Sequence, residues 1–305
     1  MFTLTSLADL SPGVLDELLE SAQTVRRHPP AYSNACSGRI VAFIGYGKSF
    51  HLSMPAEVAV TALGGTIKLY DGGQVGERWM SAPEDLGRIL STTVHCISVV
   101  APVDWVGRMV STATVPLVSI CSGHHSPMDA LAMLYTIRRS RGTLRGQRLA
   151  VVGDGASVAS GALLAGALAG MTVALAHPRG FAPDPDTTTM ARDIAARNGG
   201  AVLITEEPAE AVDGADVVVI DPWSAKGGGR DPEQRRSHFE RFQVNRALMA
   251  NARPGAMILH QGPIATPHEI EEDLAVEHMA AHVDWAANRV HMSKALFLHA
   301  IGRKA

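Results

Sequence analysis

Short apolar runs alternate with helix-length amphipathic segments along most of this chain. The runs are IVAFIGY (40–46), TIKLYD (66–71), HCISVVA (95–101), PLVSI (116–120), RLAVVGD (148–154), MTVALAH (171–177), AVLIT (201–205), DVVVID (216–221) and AMILHQ (256–261). Most are nearly continuous in Val, Ile, Leu and Ala. A strand with one wet face alternates apolar with polar, whereas a strand covered on both faces does not. The intervening segments are long enough to be the covering helices, so the pattern predicts α/β architecture with doubly wound parallel sheets. Ahead of the first strand, Ser11-Pro12 reads as a helix N-cap with Pro at the first helical position. Leu15, Leu18 and Leu19 then form an apolar stripe running towards Arg27, and Pro29-Pro30 breaks the helix.

Nine strands make one large sheet or two smaller ones. The helical stretch from Met128 to Arg141 runs into a basic, Gly-containing turn, RRSRGTLRG. Placing the junction there gives domains over 1–140 and 141–284, with a last helix, within 285–305, returning to the first. A chain of 305 residues suits two domains of about 150 each. Its 46% hydrophobic and 19% charged content supplies apolar material for both cores and excludes a disordered chain. Net charge is −3, which offers no electrostatic attraction to nucleic acid or to an anionic membrane. Cys36, Cys96 and Cys121 are odd in number and widely spaced, as expected of reduced thiols in a cytoplasmic protein. MFTLTSLADL has no signal-peptide pattern, and the apolar stretch from Ala159 to Ala176 is interrupted by glycines, so neither secretion nor a membrane span is expected.

The turn VVGDGASVASG invites a dinucleotide reading. Its Gly153, Gly155 and Gly161 do not fit G-x-G-x-x-G, and the next strand ends in Ala176-His177 with no acid to hold a ribose. A tight turn into a closely packed helix accounts for these glycines, and no cofactor is expected.

Four motifs in order carry a resemblance over nearly the whole chain. They are GDGASVASG (153–161), IDPWSAKGGG (220–229), ILHQGPI (258–264) and WAANRVHMSKALF (285–297). They resemble, respectively, the Gly-Asp turn, the Asp-x-Trp substrate loop, the His-x-x-Pro loop and the Glu-Asn-Arg-x-His-x-x-Lys-Ala helix of the aspartate/ornithine carbamoyltransferases, with Ala287 in place of the Glu. The resemblance implies two doubly wound domains with a cleft between them, assembled as a homotrimer. It also implies attack of an amine on the carbonyl of carbamoyl phosphate. That chemistry needs cationic and backbone donors for a dianion, donors for a developing oxyanion, and a neutral, aimed amine.

Against the family's Ser-Thr-Arg-Thr-Arg phosphate loop, this chain reads Ser49-Phe50-His51-Leu52-Ser53. Hydrogen bonds to charged groups contribute about 1.5–3 kcal/mol each, so losing two arginines costs about 3–6 kcal/mol, or roughly two to four decades in affinity. His51 compensates only when protonated, although helix N-terminal N–H groups still attract an anion. Against the family's His-Pro-x-Gln, matching on Pro127 places Ser126 and Asp129 at the key positions, whereas a slip of one residue restores His125. An acid there adds negative charge unless it meets a cation. Gln74 matches a trans-subunit glutamine, and Ser157 stands where the family binds the amine with Asn.

The resemblance assigns Arg289, Ser49 and His51 to the anionic end of the donor, Asp221 to the substrate amine, and Gln261 and Gly262 to the donor amide through backbone carbonyls. Phe50, Ser53 and Gln74 fall at substrate-binding positions. Lys226 either closes over an anionic substrate or is a solvated loop residue, and the His260 side chain is either structural or chemical. His51, His125, His260 and Asp129 converge on one cleft in this fold, as an acid/base set or a metal site, but no pair among them has strong metal-ligand spacing. Three functions follow: a divergent transferase moving a carbamoyl or similar small acyl group to an amino-acid-like amine; the scaffold reused for condensation, elimination or cyclisation of a less anionic substrate; or a silent ligand-binding partner.

Overall fold

A computed structural model describes residues 1–45, 50–123, 125–223, 232–264 and 267–302. The chain divides into two compact units, Met1–Ala132 with Asn288–Ala305, and Met133–Ala287. The partition falls inside two helices, Pro127–Arg141 and Met279–Ile301.

In the first unit the strands β1 (Thr3–Leu4), β2 (Ile40–Gly45), β3 (Thr66–Asp71), β4 (Cys96–Ala101) and β5 (Leu117–Ser122) form one sheet, ordered β1-β5-β4-β2-β3. In the second, β6 (Arg148–Gly153), β7 (Thr172–Ala176), β8 (Ala201–Thr205), β9 (Val217–Asp221) and β10 (Met257–His260) are ordered β10-β9-β6-β7-β8. Every pairing is parallel. The nine apolar runs are all strands, and β4 and β9 are buried from end to end. The two-residue β1 is too short to show any periodicity.

Both sheets reverse direction once. The chain winds from β2 out to β3 and returns to β4 on the other side of β2. It likewise winds from β6 through β7 to β8, then returns to β9 beside β6. Outside the carboxyl ends of the strands at such a reversal, the diverging loops leave a crevice, the usual ligand position in an open α/β sheet. At the β6/β9 reversal the backbones approach closely. Gly153 pairs with Asp221 at φ +139°, and a Cβ on Gly153 would lie 2.2 Å from the Asp221 carbonyl oxygen. Only glycine fits there, and no cofactor is needed to explain it.

The cysteines are free thiols, and burial pushes Cys36 up to about 11 and Cys121 to about 12, which keeps both protonated. No helix among the described residues is long and apolar enough to cross a membrane.

An edge strand needs acceptors for its outward N–H groups. On β10, the Ile258 N–H donates to Nδ1 of His278 (3.3 Å) and the His260 N–H to Nδ1 of His282 (3.0 Å). Two strand residues advance about 6.6 Å and four helical residues about 6 Å, so imidazoles four positions apart match alternate strand donors. Burial, reinforced by His260 and His278, pushes His282 down to about 4. Burial likewise lowers His278 against the opposing pull of Glu277. The unfolded chain takes up the His282 proton near pH 6.5 and the folded one only near 4, so this contribution is present above pH 6.5 and lost as pH falls towards 4. The loss amounts to about 3 kcal/mol. His282→Gln, which keeps an acceptor without the titration, is expected to flatten the acid limb of urea-unfolding stability by that amount. Parallel acid limbs for the two proteins would contradict the assignment.

Candidate active site

Site residues gather at the carboxyl ends of both sheets. In the first unit, the helix Phe50–Ala62 follows β2 and carries Phe50, His51 and Ser53 in its first turn. Phe50 is exposed, Leu52 is buried and Ser53 is half-buried. Pro55 has no N–H to give the His51 carbonyl, a break in the helical ladder beside the site. Ser49 lies outside the described residues.

After β5, Ser122 and His125 exchange backbone hydrogen bonds, which close a tight turn into the helix Pro127–Arg141. The Ser126 hydroxyl lies 2.9 Å from Oδ2 of Asp129 and within 3.1 Å of the Ile120 carbonyl, and it accepts the Asp129 N–H at 3.4 Å. Ser-Pro-x-Asp is thus a helix start with Pro at the first position and an acid at the third. From the last helix, Arg289 Nε stands 2.6 Å from Oδ1 of Asp129. Arg289 is 6% exposed and Asp129 4%. Asp129 has met a cation, and that cation belongs to the protein. Burial disfavours the His51 imidazolium, although the residue retains solvent exposure; Asp129 pulls the other way, and Arg289 adds to the lowering. His51 thus feels the charges of both Asp129 and Arg289. Asn288 accepts from Arg26 Nη1 at 2.9 Å, which ties the first helix, Pro12–Arg27, to the last.

Gln74 is in a local capping box. Its N–H donates to Asp71 Oδ1 at 2.8 Å, and its side-chain Oε1 accepts the Asp71 N–H at 3.0 Å.

In the second unit, Asp221 at the end of β9 is fully buried and accepts the Ala159 N–H at 3.0 Å. The helix Ser157–Leu168 begins after Ala156, which offers no side-chain cap, so Asp221 caps it from a neighbouring strand. The backbone of Ser157 opens this helix; its side chain, like all of Lys226, is outside what is described. Asp154, on the Gly-Asp turn, pairs with Arg235 of the helix Pro232–Phe239. Arg235 also donates to the Trp223 carbonyl at 2.6 Å and lies over the rings of Phe181 and Phe239.

His260 uses both ring nitrogens internally. Nδ1 accepts the Gly262 N–H at 2.9 Å, which places the proton on Nε2, 2.7 Å from Glu269 Oε2. The other oxygen of Glu269 accepts the Trp223 N–H at 2.7 Å. His260 and Glu269 together fix the turn through Gln261 and Gly262, whose φ of +77° suits glycine. Sequence reasoning missed Glu269 and Arg235, since neither carries a motif. Among the described residues, no group of three His, Cys, Asp or Glu side chains is placed to hold a metal ion.

Removal of the Glu269 carboxylate strands the Trp223 N–H and the His260 Nε2–H in the interior. Glu269→Ala is therefore expected to lower stability to urea by about 3–5 kcal/mol. A change within about 0.5 kcal/mol, the range of a surface substitution, would contradict the buried network.

Residues 3–139 match the family model for the aspartate/ornithine carbamoyltransferase carbamoyl-P binding domain, and residues 145–300 match that for the Asp/Orn binding domain. The chain is 34% identical over 293 residues to an ornithine carbamoyltransferase of Parafrankia sp., covering 96% of this chain and 92% of the relative. It is 35% identical over 291 residues to that of Acidothermus cellulolyticus, covering 94% and 93%. Its fold is similar to the solved ornithine carbamoyltransferase of Pyrococcus furiosus, with TM-score 0.92, 30% identity, and coverage of 98% and 97%. Two matched domains spanning the chain, on parallel sheets with their polar residues at the strand ends, place this protein in the aspartate/ornithine carbamoyltransferase family of transferases.

Proposed function

We propose that this protein transfers a carbamoyl or related small acyl group to the amine of an amino-acid-like substrate, in specialised metabolism. The observation that carries the reading is Asp221. A carboxylate held at the β6/β9 reversal by the Ala159 N–H is a preorganised anion for an ammonium or amine group. The carbonyls of Gln261 and Gly262, on a turn fixed by His260 and Glu269, hold the amide end of the donor. His260 then acts as a positioning residue. Region 1–140 with 285–305 takes the donor, and 141–284 takes the amine. The chain assembles in the cytoplasm as a homotrimer, which would cover the exposed Phe50, Leu69, Tyr70 and Trp79 of the first unit. Gln74, with Ser49 and Lys226, completes the substrate contacts.

One observation favours a second reading, reuse of the scaffold for a less anionic substrate: Arg289, assigned to an anionic donor, is already paired with Asp129.

The test is mass spectrometry of products from a panel of amino-acid amines, ornithine included, with labelled carbamoyl phosphate and with unphosphorylated carbonyl donors. An N-acylated amine is expected with one combination. Asp221→Asn keeps an oxygen for the Ala159 N–H but loses the charge. It is expected to raise KM for the amine about 10- to 100-fold, the equivalent of one charge-assisted hydrogen bond. Unchanged KM, or no product from any combination, would count against the reading.

A further inference from the structure

Among the described residues beyond the strands of the first unit, Asp129 and Arg289 form a buried pair of opposite charge. Asp129 Oδ1 faces Arg289 Nε at 2.6 Å and its Oδ2 takes the Ser126 hydroxyl at 2.9 Å. Ser126 precedes the helix that Asp129 stands on and accepts the Asp129 N–H, so the carboxylate gives up its bond to the Ser126 hydroxyl if it swings aside. Carboxylate and guanidinium are both buried, and their charges cancel. A buried pair of this kind holds because separating it leaves an uncompensated charge in the interior. Burial works against the imidazolium form of His51, which limits it as a replacement cation. Beside β5 in the sheet, β4 ends in the buried apolar pair Val100 and Ala101.

We propose that Asp129 is a specificity-determining residue, which turns this site away from dianionic phosphates and towards an uncharged carbonyl ligand of the amide or urea class. This rests on the reading of the first unit as the donor side. A phosphate that approached Arg289 would stand within a few ångströms of the Asp129 carboxylate. At about 5 Å and an effective dielectric of about 20, one such repulsion weakens affinity on the order of 100-fold. A neutral amide or urea meets no such opposition. Its oxygen is matched to a guanidinium and its N–H to a carboxylate, so a side-by-side pair complements it without a net charge.

The experiment compares binding of inorganic phosphate, carbamoyl phosphate, methylurea and acetamide to the full chain and to Asp129→Asn. Phosphorus line broadening reads the phosphates, and saturation-transfer NMR reads the neutral compounds. The unsubstituted protein is expected to give transfer to methylurea or acetamide and no phosphate broadening at millimolar concentration. Asp129→Asn keeps an oxygen for Arg289 and is expected to gain phosphate affinity on the order of 100-fold. Phosphate binding to the unsubstituted protein as tightly as to the variant would overturn the proposal, and so would binding of neither neutral compound. If the variant does not fold, phosphate against methylurea on the unsubstituted chain still decides. Product formation from carbamoyl phosphate would support acyl transfer while overturning this proposal, and an absence of turnover leaves the binding comparison intact.

Discussion

A carboxylate and a guanidinium 2.6 Å apart, both withdrawn from water, organise the first unit of this protein. Asp129 brings the start of the helix Pro127–Arg141, and Arg289 brings the last helix, whose Asn288 is tied in turn to the first helix by Arg26. Removing one partner of such a buried pair costs about 3–5 kcal/mol, far more than a surface ion pair contributes. The same contact commits the charge of Arg289 before any ligand arrives. Structure and ligand preference in this unit thus rest on one interaction.

The second unit solves a related problem with neutralised and capped groups. At the carboxyl ends of its strands, Asp221 caps a helix that lacks its own cap, Asp154 pairs with Arg235, and Glu269 joins the Trp223 backbone to His260. Parallel sheets covered on both faces leave their polar chemistry only at the strand ends. Polar groups buried there need partners, and these carboxylates find theirs in the protein's own backbone and side chains. Edge strand β10 shows the same economy, since its outward N–H groups end on two imidazoles rather than on another strand.

Most of the fold was legible in the sequence because burial on both faces writes itself as continuous apolar runs. Among the described strands only β1 escaped, since two residues carry no period. The site was legible in part. Arg289 and His51 were singled out by motif position, but the partner of Arg289 lies in a different motif, and sequence spacing does not encode that contact. Ser126 and Asp129 also form a local helix start, a pattern readable from Ser-Pro-x-Asp alone. Gln74, which the resemblance matched to a trans-subunit glutamine, serves its own turn. Glu269 and Arg235 gave no signal, because a buried polar contact depends on folding rather than on neighbours along the chain.

The central claim is that Arg289 is committed to Asp129 even when an anion is offered. A crystal structure of the full chain grown in phosphate tests it most directly. The account predicts Asp129 Oδ1 still within hydrogen-bond distance of Arg289 Nε and no phosphate against that guanidinium. Phosphate seated on Arg289, with the Asp129 carboxylate turned away, would contradict it.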